Sequence, residues 1–294
     1  MRADYILQQW HFVLQHLLGV ALVGVSIAVQ ADGLPSTLSF ESGGDALGSR
    51  DYYLDLDYAF IKESRLLASI ARNHSTSQNN PITTRSVFLG FRTDPLERLS
   101  IGMDLETWGK KDALETDTLR AVMDVNLQHW QFSLRPQWRT LTFSTDCVRT
   151  RRRCQSDAEV NSTGTAFDVS YYTDGPWSFS LGFARHQYDK NIESLASEPR
   201  WQFLFSAATL DLSSGLEDRR RSATVSWFGG NALWNFSWLK SVSRVTGGAS
   251  FVQTLRFSTN LDEQWRLRLR VGSQTLQKGR DSVWFAGTGL TYSW

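Results

Sequence analysis

The closing stretch of the chain, Asp281-Ser-Val-Trp-Phe-Ala-Gly-Thr-Gly-Leu-Thr-Tyr-Ser-Trp294, separates into two faces when every second residue is taken. Trp284, Ala286, Thr288, Leu290, Tyr292 and Trp294 fall on one face, and Phe285, Gly287, Gly289, Thr291 and Ser293 on the other. A period of two belongs to a strand. The first face is apolar with an aromatic at each end, and the second is small and mostly polar. Such a strand has hydrocarbon on one side and a wetter space on the other. From Trp284 to Trp294, at roughly 3.3 Å per residue and a tilt of about 40°, it rises about 25 Å. That is the height of the apolar band of a membrane-spanning strand.

The same alternation runs back through the chain, and no sustained 3.6-residue pattern interrupts it. Trp265, Leu267, Leu269 and Val271 alternate with Arg266, Arg268, Arg270 and Gly272, and Phe251, Leu255 and Phe257 with Thr254, Arg256 and Ser258. Further strands are expected at Trp234 to Ser243, Leu216 to Phe228, Trp177 to Ala184, Phe167 to Tyr171, Trp130 to Arg139, Leu119 to Leu127 and Leu99 to Leu105. Val87 to Phe91 leads into a turn at Asp94-Pro-Leu-Glu97, and the first strands are Thr37 to Ser42, Tyr52 to Phe60 and Arg65 to His74. The total is fourteen, with twelve or sixteen as the alternatives. The residues from Lys190 to Arg219 are the source of that uncertainty: they are either one long loop, with a short helix near Ser206 to Ser213, or a loop containing a hairpin around Trp201 to Phe205. The expected fold is all-β, an antiparallel up-and-down barrel with short turns at one end and longer loops at the other.

Composition narrows the field. The 294 residues carry 31 basic and 30 acidic side chains, which gives no charge excess for nucleic acid. Twelve Trp and seventeen Phe beside twenty-one Gly and six Pro describe an aromatic-rich chain of strands and turns. The only continuous apolar run, Phe12 to Val29, ends in Val29-Gln30-Ala31, which reads as a signal peptide over 1–31 followed by one barrel domain over 32–294. Arg2 is offset by Asp4, so an uncleaved anchor helix is the alternative there. Cys147 and Cys154 read as a disulfide across a short loop, since zinc would need two more ligands at suitable spacing. Nothing in the sequence calls for a metal or a cofactor.

Trp130, Trp177, Trp234, Trp265 and Trp294 recur beside the short turns or the terminus in the apolar register, and Trp284 marks the far end of the last strand. Indoles repeating at one end of successive strands form an aromatic girdle, with the ring in hydrocarbon and the N–H at the interface. With these features and a final Tyr292-Ser-Trp294, the chain resembles a Gram-negative outer-membrane β-barrel protein of porin-like architecture. The resemblance is to an architecture and points to no particular family. It implies an outer-membrane location, contact with membrane lipid and lipopolysaccharide, and recognition by the barrel-assembly machinery through the C-terminal strand.

The inward face carries the chemistry. Arg256, Arg266, Arg268 and Arg270 form a basic wall on two neighbouring strands, and Arg135 and Arg139 lie on a distant one. Acids stand elsewhere, at Asp55, Asp57, Asp104, Glu106, Asp124 and Asp168. The expected function is a channel for passive diffusion of small polar solutes, anions among them. The alternative is a barrel whose arginines and acids pair across a narrow lumen and close it, serving export or a surface complex with periplasmic or surface protein partners. Cys147-Val-Arg-Thr-Arg-Arg-Arg-Cys154 is either a basic mouth that gathers anions or lipid phosphates, or a solvated stapled loop. A hydrolase is the third class. His186 with Asp189, Asp168 or Ser170 would carry it, or His74 at the outer end of another strand, with His129 in an inner turn a poorer candidate, but no nucleophile, base and orienting group stand at recognisable spacing.

Overall fold

Alternation with turn residues between the runs produces fourteen antiparallel strands, each pairing with its neighbours in sequence. They are β1 (Thr37–Asp45), β2 (Arg50–Ile61), β3 (Ser64–Ser77), β4 (Asn80–Leu96), β5 (Leu99–Lys110), β6 (Leu114–Leu127) and β7 (Trp130–Phe143). The second half comprises β8 (Ala158–Tyr172), β9 (Trp177–Tyr188), β10 (Glu217–Gly229), β11 (Ala232–Ser243), β12 (Ala249–Asn260), β13 (Trp265–Leu276) and β14 (Ser282–Ser293). The computed structural model describes residues 35–61, 63–77, 80–110, 114–143, 158–190, 217–244, 248–276 and 282–294. The expected signal peptide 1–31, the Cys147–Cys154 staple with its arginines, and residues 191–216 of the uncertain loop lie outside the described residues.

β1 pairs with β14 from Thr37↔Ser293 to Asp45↔Phe285, and this seam closes the sheet on itself. Closure removes the edges that open sheets leave unpaired, and excludes the twelve- and sixteen-strand alternatives. Fourteen strands spaced about 4.8 Å apart and tilted about 40° make a circular wall of backbone diameter about 28 Å. That is wider than the small barrels whose interiors side chains fill.

The outer face is apolar. Ile70, Leu89, Met103, Leu181, Leu269 and Leu290 all point outward and are exposed, Leu181 to 67%. A continuous belt of this kind does not persist in water, where roughly 25 cal/mol per Å² of apolar surface opposes it. The fold therefore requires an apolar surrounding medium and an interior that takes the polar residues.

The turns at the end where β1 starts and β14 finishes are short. His129 with Gln128, and Gly230 with Asn231, suffice between strands, and Gly230 supplies a positive φ of 56°. Asp262 Oδ1 accepts the backbone N–H of Gln264 and Trp265 at 2.8 and 2.7 Å, folding the β12–β13 turn with its own side chain. The expected turn at Asp94-Pro-Leu-Glu97 is displaced: β4 continues through Leu96 and the chain reverses at Glu97-Arg98. The register shifts between Thr93 and Leu96, so Pro95 occupies an irregularity where its missing N–H costs no ladder bond. The connections at the opposite end are also short in most places, among them 46–49 and 111–113. Only those between Phe143 and Ala158 and between Tyr188 and Glu217 are long.

Candidate functional site

Side-chain parity, carried from strand to strand by the register, puts the arginines and acids expected to line the lumen on the inward face. The register also decides which of them meet. Arg92 on β4 makes a two-pronged bridge to Asp104 on β5, with Nη1–Oδ1 2.5 Å and Nη2–Oδ2 2.9 Å. Arg120 on β6 bonds Glu106 on β5, Arg65 on β3 reaches Asp57 on β2 at 2.7 Å, and Arg135 on β7 lies 3.3 Å from Asp168 on β8. Asp124 accepts the hydroxyl of Ser133. The anticipated pairing across the lumen is thus replaced by pairing along the wall: among the described residues no ion pair spans the barrel. The cause is spacing, because neighbouring strands offer a partner at about 5 Å whereas the far wall is several times more distant.

Arg65, Arg92 and Arg120 were not singled out from the sequence. Their inward parity was legible, since Arg120 alternates with Leu119 and Ala121, but their partners are set by register.

The basic wall behaves differently. Arg256 on β12 stands opposite Arg270 on β13, Arg268 opposite Ser258, and Arg266 opposite Asn260. On the other side of β13, Arg266, Arg268 and Arg270 face Thr291, Gly289 and Gly287 of β14. No carboxylate stands beside these arginines on an adjacent strand. Arg266 Nε donates to Asn260 Oδ1 at 2.9 Å, and among the described residues Arg256, Arg266 and Arg268 form no ion pair. They line a cavity of about 470 Å³ together with Glu41, Tyr53, Asp55 and Asn235.

Arg270 is the exception. One register row reads Arg270, Gly287, Gly43, Asp51 across β13, β14, β1 and β2. With no side chain on either glycine, the guanidinium passes over the closing seam and hydrogen-bonds Asp51. Its Nε lies 2.9 Å from Glu41 Oε1, a charge contact, since that N–H is not aimed at the oxygen. A Cβ at Gly43 would lie 2.7 Å from Arg270 Nη2, and one at Gly287 3.0 Å from Nε. The rings of Tyr53 and Phe285 flank the cation at 5.8 and 5.9 Å. Arg270 is therefore neutralised by β1 and β2 and joins the two ends of the sheet.

At the loop end of β6 to β11 the inward face is buried. Leu141, Phe143 and Val160 are at most 2% exposed, and Leu114, Ser162 and Glu217 are buried beside Arg139. Tyr188 Oη donates to the Glu217 carbonyl at 2.7 Å.

His186 also lies in this region and is 2% exposed, buried in the wall rather than open at a rim active site. Gln137 donates its amide N–H to Nε2 at 3.1 Å, the ring lies over Gly164, and Nδ1 makes no hydrogen bond. The groups considered as its catalytic partners are engaged elsewhere. Asp189 accepts the backbone N–H of Asn161 at 2.9 Å, Ser170 bonds Ser180 at 2.8 Å, and Asp168 holds Arg135. His74 points outward and meets Thr83 Oγ1 at 2.9 Å, and His129 lies in a turn 3.7 Å from Asp174. Among the described residues, His74, His129 and His186 do not assemble a nucleophile with a base. Among the described residues no group of three or more His, Cys, Asp or Glu could hold a metal.

Trp130, Trp177, Trp227, Trp234, Trp265 and Trp294 gather at the terminus end on the outer face. Trp177, Trp227, Trp234 and Phe257 form one row across β9 to β12, with Trp234 and Phe257 ring centres 4.5 Å apart. Trp130 meets Tyr171 at 4.7 Å and Trp265 meets Tyr292 at 4.9 Å, while Trp294 stacks on Tyr292 at 5.8 Å. Trp227 completes this row and was missed, because its strand carries no other large residue but Phe228 to set the parity. Trp284 is 63% exposed at the opposite end.

No protein-family model and no curated protein matches the chain. Among solved structures it is similar to the KdgM porin in complex with disordered oligogalacturonate, at 8% identity and a TM-score of 0.45, covering 88% of this chain and 99% of that one. It is also similar to Pseudomonas aeruginosa OccK11 (OpdR), at 7% identity and a TM-score of 0.43, covering 88% and 94%. A third is Pseudomonas aeruginosa OccK2 (OpdF) in complex with glucuronate, at 10% identity and a TM-score of 0.40, covering 88% and 96%.

Proposed function

We propose that this protein is a porin-like channel of the bacterial outer membrane, through which small polar solutes diffuse passively with a preference for anions. The membrane reading is supported by the exposed apolar belt of a closed barrel bounded by aromatic rows. The end where β1 starts and β14 finishes faces the periplasm in this reading. The belt contacts lipid, and the final strand with Trp294 serves recognition during barrel assembly.

The observation that carries the solute preference is the set of guanidiniums at Arg256, Arg266 and Arg268, inward-facing, cavity-lining and without ion pairs among the described residues. A carboxylate or phosphate entering the cavity meets planar donors that no protein acid has already engaged. Asp55 on β2, which lines the same cavity, lowers the net positive charge and keeps the preference moderate.

Planar-bilayer recording tests the proposal. Discrete conductance steps are expected, with a reversal potential in a salt gradient showing anion preference. Arg256→Gln, Arg266→Gln and Arg268→Gln together should abolish that preference while steps persist. Absence of steps at any voltage would refute the channel.

A second reading is favoured by the buried inward face around Leu141, Phe143 and Val160: a barrel blocked near its loop end and acting as a scaffold. The same recording separates the two, since a blocked barrel inserts without conducting.

A further inference from the structure

Charged residues on the outward face lie toward the loop end, and on β9, β10 and β11 they are crowded together. Arg185 stands directly opposite Arg219 across β9 and β10, and Arg221 directly opposite Lys240 across β10 and β11. Like charges directly opposite destabilise a sheet, and here two such pairs adjoin, since Arg219 and Arg221 are two residues apart on β10. Arg185, Arg219 and Arg221 are exposed. Asp218 holds only Arg219, at 3.0 Å, and Lys240 lies 5.1 Å above the Phe251 ring. Arg185 and Arg221 form no ion pair among the described residues.

Height sharpens the anomaly. The Trp177–Trp227–Trp234 row sits at the terminus end of these same strands, and register places Arg221 and Lys240 six residues above it and Arg185 and Arg219 eight. At roughly 3.3 Å per residue and about 40° of tilt the four cations stand about 15–20 Å above the aromatic row, within the upper part of a band about 25 Å tall. An arginine facing hydrocarbon there is unfavourable unless its head reaches an anion at the interface.

We infer that Arg185, Arg219, Arg221 and Lys240 form a binding site for the phosphate groups of a phosphorylated glycolipid in the outer leaflet. The inference rests on the membrane reading proposed above. The three strands span about 10 Å, so one headgroup reaches both like-charge pairs, and each phosphate accepts guanidinium N–H groups as planar forks. The acyl chains then lie against the apolar belt below, where Phe179, Leu181 and Phe236 face outward on the same strands. The lipid thus neutralises a repulsion that, among the described residues, only the Asp218–Arg219 pair offsets. The site differs from the Cys147–Cys154 arginines in being on the barrel wall.

The test uses the full-length protein refolded in a neutral detergent, with bisphosphorylated lipid A, the same lipid stripped of its phosphates, and inorganic phosphate as probes. The thermal midpoint is expected to rise by several degrees with the phosphorylated lipid and to stay unchanged with the other two. In an Arg185→Gln, Arg221→Gln, Lys240→Gln variant the apo midpoint should hold or rise, because repulsion is removed, and the lipid effect should vanish. Equal stabilisation by the dephosphorylated lipid, an undiminished effect in the variant, or the full effect from inorganic phosphate alone would overturn the site. Insertion of the wild-type chain into planar bilayers is recorded in parallel with its thermal response to the phosphorylated lipid. Insertion with steps but no lipid effect defeats only this inference, whereas failure of the wild-type chain to insert defeats the membrane reading beneath it.

Discussion

The β4–β5–β6 wall and the β12–β13 wall are built from the same side chains and do opposite things. On the first, Arg92 and Arg120 each face a carboxylate one strand away, and the charges are consumed by the protein. On the second, arginines face each other, serine, asparagine, threonine and glycine, and Arg256, Arg266 and Arg268 are left for whatever enters the lumen. The difference lies in cross-strand neighbours rather than in the amount of charge. A guanidinium with a protein partner holds two strands together; one without a partner contributes to the field inside the barrel.

The contrast can be broken most severely at Asp104, whose side chain is 6% exposed. Asp104→Asn leaves Arg92 without its counter-charge, and a loss of about 3 kcal/mol is expected in urea unfolding of the lipid-reconstituted protein. A loss well below that figure would place the two walls in one class.

Gly287→Val attacks the point where the classes meet. The new side chain would press on Arg270 and on the Ser42 carbonyl, which lies 2.9 Å from the added Cβ, so about 2 kcal/mol of stability should go. Arg270, pushed off Asp51, would add to the unpaired cluster. Reversal-potential measurements should therefore show stronger anion preference, and no change would mean that Arg270 already acts in the field.

Replacing Arg256, Arg266 and Arg268 with glutamine should alter stability by less than about 1 kcal/mol, since no ion pair is broken, while the anion-to-cation permeability ratio falls severalfold. A large stability loss in the same unfolding assay would show these arginines to be structural after all.

The smallest effect is expected at Asp168→Asn. Its pair with Arg135 is exposed, at 35% and 40%, so water already screens it and less than about 1 kcal/mol should be lost. The slight gain in anion preference from an unpaired Arg135 should fall short of what Gly287→Val produces.

The fold was unusually legible. Strand parity repeats locally, and a barrel wall with lipid outside has only two environments, so Leu267 against Arg268 declares both the strand and its faces. Fourteen strands follow from counting such runs, and Pro95 misled only because it suits a bulge as well as a turn. The candidate site was legible by half. Parity placed Arg266, Arg268 and Arg270 on one inward ladder but could not tell the last from the first two. His186 was placed on its strand correctly, yet its burial against Gln137 depends on a strand 49 residues away in sequence.

By itself, the sequence determined what is local: period, facing, the aromatic rows, and which side of the wall each charge occupies. These follow from alternating side chains on a strand and need no knowledge of the partner. Only the closed barrel decided which charges cancel. Closure brings Asp51 to Arg270, 219 residues away, and glycines on the two strands between them let the side chains meet. Neighbour identity around a ring is a long-range property, and it separates the arginines that hold the wall from those that face the lumen.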